Sequence, residues 1–211
     1  ARITDMLLNP GGSFTYNGGT YAYPDIRLVY WAGGNPFHHH QDLNRLEKAW
    51  QKPETIVVNE PYWTPTAKRA DIVLPVTTAL ERNDISACGG EDLVVAMKRV
   101  EAPFAQSRSD FDIFRDLGRR LGIDFHEGLD ENGWLRHIYA VSRENAAATG
   151  ITLPDFDEFW EAGLVDLSSQ ARPVVMFEAF RKTPEAHPLP TPSGRIEIFS
   201  ETVDRFGLAD C

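Results

Sequence analysis

The residues able to bind or react cluster just after short apolar runs. Gly33, Gly34, Asn35 and Pro36 follow the run at 26–31, and Phe37, His38, His39, His40, Gln41 and Asp42 come next. Glycines let a backbone approach a phosphate or a ring, and Asn35 offers both a donor and an acceptor. A helix beginning near Gln41 would add free N–H groups and a positive dipole end, so a phosphorylated ligand fits here. A plain strand–turn–helix joint would use the same residues. Adjacent histidines point in different directions, and zinc sites prefer spacings such as i, i+4 with a cysteine or carboxylate nearby. One histidine reaching a ligand is therefore favoured over three sharing a metal.

A second spot is Asn59 and Glu60, which end the apolar run at 55–58. In dinucleotide folds an acid in that place accepts ribose hydroxyl protons. The absence of GxGxxG after the first strand counts against NAD or FAD. A third is Glu81, Arg82, Asn83 and Asp84, where Arg82 could meet a phosphate or stack on a base, or belong to a solvated charge cluster. A fourth is Ser109 and Asp110 at a helix start. The two oxygens of Asp110 match the N1–H and N2–H₂ donors of guanine, and helix capping explains the same pair. No catalytic triad, paired carboxylates or phosphate loop is visible, and Ser86 and Cys88 have no evident base partner. No catalytic residue and no metal ligand is assigned.

Composition narrows the classes. With 42% hydrophobic and 25% charged residues, the chain reads as an ordinary globular protein rather than a disordered or collagenous one. The net charge of -10, without a Lys/Arg stripe, argues against nucleic acid as a partner. No apolar run approaches the ~20 residues of a membrane helix, so membrane insertion is not expected. Cys88 and Cys211 are too few for a zinc or iron–sulfur set. The opening Ala1, Arg2, Ile3, without Met, suggests a piece of a longer protein.

The elements that must position these residues follow from the pattern. Residues 9–25 are rich in Gly, Asn, Pro and Tyr, and Asn17-Gly18 between aromatic, β-prone flanks signals a hairpin. Runs at 26–31, 55–58 and 72–74 read as buried strands. Helical spacing of Leu43, Leu46 and Trp50 and a short helix over 64–70 separate them. The spacing predicts a further strand at 93–97, a helix capped by Ser109 and closed near Gly122, a helix over 134–148, and a short one holding Phe156, Phe159 and Trp160. Residues 183–194 carry four prolines and read as a linker, and the alternation at 195–199 predicts a final strand. The expected class is α/β: a doubly wound, mostly parallel, Rossmann-like sheet with helices on both faces. Three regions follow: a loop and hairpin over 1–25, the α/β domain over 26–182, and a linker and strand over 183–211. Read from the residues alone, this is a nucleotide-holding domain with no assigned reaction.

The order of motifs is also familiar. Trp31 through Leu46 resembles the dimethyl sulfoxide reductase family of molybdenum enzymes, and so does 54–60 followed by Trp63-Thr64-Pro65-Thr66-Ala67. The match continues through 70–75, Thr77 and Thr78, 81–84, 96–98, 109–114, Glu127 to Glu131 with Gly133 and Trp134, and 191–200. Within the family it is most similar to the branch that reduces biotin sulfoxide, dimethyl sulfoxide and trimethylamine-N-oxide.

The resemblance implies a bis(molybdopterin guanine dinucleotide) molybdenum cofactor, with the metal on dithiolene sulfurs and a serine oxygen. It implies that this chain is the second of two α/β domains gripping the dinucleotide tails. By motif position, Asn35 and His39 should touch the cofactor, Asn59 and Glu60 the ribose or guanine end, Arg82 the tail, and Asp110 the guanine. Asn59 stands where relatives often have Gln or Ser, and Glu60 where Asp is common. The metal ligand should lie upstream and a closing β-barrel domain downstream, so the chain alone should not turn over. Partners would be the cofactor, a small S-oxide or N-oxide, and the remaining domains. The compartment would be cytoplasm or periplasm, with the cytoplasm favoured. The alternatives are a stand-alone nucleotide-binding module without redox activity and a histidine-cluster metallohydrolase.

Overall fold

The computed structural model describes residues 2–16, 18–88, 90–123, 128–172 and 174–207. Asn17, Glu127 and Cys211, each part of a sequence expectation, lie outside them. The chain forms two units, residues 1–14 with 21–170, and residues 15–20 with 171–211.

The first unit begins with helix α1 (Arg2–Leu8). Strands β1 (Ser13–Tyr16) and β2 (Gly19–Ala22) then form a two-stranded sheet, as the hairpin signal predicts. Strand β3 (Leu28–Ala32) leads through the one-turn helix α2 (Pro36–His39) and helix α3 (Leu43–Ala49) to β4 (Thr55–Glu60). A single 3₁₀ turn at Ala67–Arg69 precedes β5 (Ile72–Pro75). The three strands are parallel in the order β3-β4-β5, with Tyr30 beside Val57 and Asn59 beside Leu74.

Side chains alternate across a strand, so this register sorts the sheet into two faces. Ile56 and Val58 face Leu7 of α1, Leu46 and Ala49 of α3, Phe37 and Trp50, and all of these are buried. Tyr30 and Asn59 point to the opposite face, where Tyr30 meets Phe114 of helix α4 (Asp110–Arg120) at 5.4 Å between ring centres. Helices thus cover both faces, and the α/β class holds. The α1 helix is an addition to the expected loop over 1–25: its Leu7 is only 3% exposed, so it is part of the core.

Two expectations change. Among the described residues the strands of the parallel sheet follow one another in chain order, without the reversal a doubly wound sheet carries, and one of the three sheets is parallel. Strands β6 (Asp84–Ala87), β7 (Leu93–Met97) and β8 (Leu164–Asp166) make a separate antiparallel sheet. It is covered by α5 (Glu131–Ala148) and α6 (Phe156–Ala162), with Tyr139 stacked on Phe159 at 4.5 Å. The expected run at 93–97 is therefore a strand, but in this second sheet.

Helix α4 (Asp110–Arg120) starts at Ser109, whose side chain accepts from the Asp112 amide, and closes near Gly122 at φ +72°. In the second unit the described helices are α7 (Glu178–Lys182) and α8 (Glu201–Phe206). Residues 195–199 are not a strand. Backbone groups in an extended run need a partner ladder, and none pairs with them among the described residues. Ile198 is fully exposed, and the Ser193 amide instead donates to the Glu197 carboxylate at 2.7 Å.

Candidate functional site

The carboxyl edge of the parallel sheet collects most of the predicted residues. Asn35 follows β3 through Gly33 and Gly34, at φ +77° and +72°, where a side chain would be strained. Asn35 caps α2 with its backbone, and its side chain takes no part in that cap. It is buried, and its Oδ1 accepts from the Thr66 hydroxyl. Its Nδ2 is buried with no hydrogen-bond partner. Thr77, just after β5, repeats the pattern: the residue is 5% exposed and its Oγ1 is unpartnered. Both atoms are polar, buried and unpartnered within the chain, a state that costs about 1–3 kcal/mol each until an acceptor or donor arrives.

Asn59, at the end of β4, is 5% exposed. Its Nδ2 donates to Asp110 Oδ1 at 2.7 Å, and its Oδ1 accepts from the Tyr30 hydroxyl at 3.0 Å. These three come from β3, β4 and the first residue of α4. A short parallel pairing sets the approach of α4: the Arg108 amide donates to Pro75 O, and the Thr77 amide to Arg108 O, each at 3.1 Å. Ser109 does the helix capping, so the exposed Asp110 carboxylate is not consumed by it. Burial pushes the Tyr30 phenol above its ordinary range; the Asn59 hydrogen bond pulls it back and the Asp110 charge adds to the rise. The hydroxyl therefore stays a donor at neutral pH.

The other predicted residues are placed differently. Glu60 turns its carboxylate into its own loop, accepting from the Tyr62 amide at 3.4 Å and the Thr64 hydroxyl at 3.2 Å. His39 is exposed in the last turn of α2. The helix start near Gln41 is closed by the protein itself, because Asp42 accepts from the Arg45 amide at 3.1 Å. The expected free N–H groups there are thus partly taken. Arg82 is tied to Asp84 at 2.9 Å and to Thr77 O at 3.5 Å. Its neighbour Glu81 is structural: the Thr78 amide, the Thr78 hydroxyl and the Phe104 amide hold its carboxyl below the usual range. Among the described residues no three His, Cys, Asp or Glu side chains converge on a metal position. No described helix is long and apolar enough to cross a membrane.

A cavity of about 700 Å³ opens past β4 and β5, lined by Tyr62, Thr78, Leu80, Glu101, Phe104 and Gln106 among others. None of the six predicted residues lines it. The edge with the unpartnered amide and hydroxyl has the stronger chemistry, because a ligand is recognised by placed donors and acceptors more than by volume. Sequence reasoning missed Tyr30, Thr66 and Thr77. Tyr30 carried a usable signal, being a polar-tipped residue on the opposite strand face from Val29 and Trp31.

The comparisons with known proteins now bear on this edge. The family described as Molybdopterin oxidoreductase matches residues 5–120, more than half the chain and all of the parallel sheet. The chain belongs to the molybdopterin oxidoreductase family. Over its full length it is 54% identical to a biotin sulfoxide reductase of Cereibacter sphaeroides, of which it covers 29%. It is 48% identical to a dimethyl sulfoxide/trimethylamine N-oxide reductase of the same organism and 46% identical to a trimethylamine-N-oxide reductase of Haemophilus influenzae, covering 26% of each. The chain thus spans roughly a quarter of the relatives it matches. Among solved structures, acetylene hydratase from Pelobacter acetylenicus superposes on 98% of the chain with a TM-score of 0.57 at 20% identity, which shows a shared fold. This molybdopterin oxidoreductase segment is therefore tied to a molybdopterin-type cofactor.

One prediction concerns the joint itself. Asn35→Ala in the full-length protein leaves the Thr66 hydroxyl, 0% exposed, without its acceptor. Orphaning that hydroxyl costs about 1–3 kcal/mol, offset in part because the change also removes the unpartnered Asn35 Nδ2. Adding Thr66→Val should recover part of it, since removing both partners is milder than orphaning one. Hydrogen exchange of the β3 and β4 amides reads both variants. Strictly additive effects would show that this bond does not hold the joint.

Proposed function

We propose that this chain is the nucleotide-gripping part of a molybdenum-dependent S-oxide or N-oxide reductase, holding one guanine dinucleotide of its molybdopterin cofactor. The carrying observation is the Asp110 carboxylate, oriented by Asn59 at the carboxyl edge of a parallel sheet, where open α/β folds bind ligands. A carboxylate offers two acceptor oxygens, matching the two adjacent donors of guanine. The buried, unpartnered Asn35 Nδ2 and Thr77 Oγ1 fit a polar group laid across the same edge. Glu60 keeps spare lone pairs for ribose hydroxyls, and Arg82 keeps donors for the tail beyond those spent on Asp84 and Thr77. His39, exposed near Asn35, completes the contacts.

When bound, the cofactor supplies the two-electron chemistry that converts an S-oxide or N-oxide to sulfide or amine and water. This chain's residues orient the tail and exclude water from its polar contacts. The names of the relatives support the oxide substrates. The metal ligand and the substrate funnel belong to other parts of the full-length protein.

The test is the purified full-length protein. It should release guanine nucleotide on acid hydrolysis in step with its molybdenum content, and reduce biotin sulfoxide, dimethyl sulfoxide or trimethylamine-N-oxide with an artificial electron donor. Nucleotide without molybdenum would favour a stand-alone binding module. Molybdenum with cytosine nucleotide in place of guanine would overturn the role of Asp110.

A further inference from the structure

We propose that Tyr30 is a positioning residue for base selection, acting through Asn59 on Asp110; this rests on the guanine reading above. The orientation of each group is forced by its neighbour. A carboxylate only accepts, so the Asn59 NH₂ must face Asp110, as the 2.7 Å contact shows. The Asn59 Oδ1 then faces Tyr30, and the hydroxyl must donate, at 3.0 Å. The relay passes through the Asn59 side chain, which is 5% exposed, so neither water nor a second rotamer readily replaces that middle link. Tyr30 itself is seated by its ring against Phe114, one turn along α4 from Asp110. One strand, its neighbour and the facing helix thus hold one carboxylate in one rotamer.

A preset carboxylate matters most for a two-point contact. Guanine presents N1–H and N2–H₂ side by side and needs both Asp110 oxygens in its plane. Hypoxanthine presents N1–H alone and tolerates a rotated carboxylate. With the Tyr30 hydroxyl gone, Asn59 Oδ1 is a buried acceptor without a donor, the amide loses one of its two tethers, and Asp110, held less firmly, must be ordered further on binding. The guanine contact loses more than the hypoxanthine contact, so selectivity falls along with affinity.

The experiment uses the full-length apoprotein and two probes, GMP and IMP, titrated calorimetrically. The unaltered protein should prefer GMP by about tenfold, the worth of one hydrogen bond to a charged acceptor. Tyr30→Phe keeps the ring and removes only the hydroxyl. It should weaken GMP about fivefold and cut the preference to about twofold. Tyr139→Phe, which removes a hydroxyl bonded to Pro154 O beside the other sheet, should leave the preference at its original value. Asp110→Ala should erase the preference. If Asp110→Ala erases it while Tyr30→Phe retains it, the relay is wrong and the guanine site stands. If Tyr139→Phe collapses it as Tyr30→Phe does, general loosening carries the effect and the relay is again wrong. If Asp110→Ala leaves it intact, or the unaltered protein shows none, the guanine reading falls and the relay with it.

Discussion

Full-length protein carrying Asp110→Ala is expected to come off purification with guanine nucleotide and molybdenum both far below wild type. Two hydrogen bonds to a charged acceptor would be lost, each worth ~1.5–3 kcal/mol. Together they weaken the grip on the base by roughly 10² to 10⁴. The change also strips the Asn59 amide, in a side chain 5% exposed, of its acceptor. Asp110→Asn is the sharper variant, because it preserves volume but sets an NH₂ against one of the guanine donors. It should lose nearly as much nucleotide as alanine does. Nucleotide released by acid and molybdenum measured on the same sample read the result. Wild-type amounts of both would remove Asp110 from the site.

Trp50→Ala should open the sheet under that site, at a cost of about 3–5 kcal/mol. Trp50 is 2% exposed and sits in the cluster formed by Leu7, Phe37, Leu46, Ala49, Ile56 and Val58. Its ring meets Phe37 edge-on at 5.5 Å and Trp31 at 5.9 Å. Phe37 stands two residues after Asn35, so the cavity left by Trp50 lies directly beneath the β3 joint. Whole domains are stable by only about 5–15 kcal/mol, so this one change removes a large share. Trp50→Phe should cost much less, because it retains most of the volume and deletes an indole N–H that is buried without a partner. Hydrogen exchange of the β3 and β4 amides in the full-length protein measures the opening energy. A loss under about 1 kcal/mol for the alanine variant would mean the cluster closes around the gap.

The two changes act on different links. Trp50 acts through packing, on whether the strand ends hold their positions. Asp110 acts through hydrogen bonding, on what those ends recognise. A protein weakened at Trp50 should lose nucleotide and protection from exchange together, whereas one altered at Asp110 should lose nucleotide with a much smaller loss of protection.

Short-range chemistry was legible in the chain as written. Apolar runs at 26–31, 55–58 and 72–74 marked the three parallel strands; β4 is buried on both faces, whereas β3 and β5 flank it half-buried, with Leu28 and Ile72 exposed. Ser109 ahead of Asp112, and the glycine at 122, marked the ends of α4, because capping is decided within a turn of the helix. Gly33 and Gly34 marked the turn that carries Asn35, and the ordered motifs placed the chain in its family. Other features were set by distant partners. The run at 93–97 was plainly a strand, yet its sheet depended on β6 and β8, which are short and weakly patterned. The run at 195–199 had the right alternation and no ladder to join. Asn59 and Asp110 are 51 residues apart, and Tyr30 lies 29 residues before Asn59. Only the register of β3 on β4 and the pairing of Val76 with Arg108 bring them within a hydrogen bond. Local residue order thus determined the elements, their caps and the family. Tertiary structure decided which side chains face one another, because hydrogen bonds and packing depend on distance in space and are blind to distance along the chain.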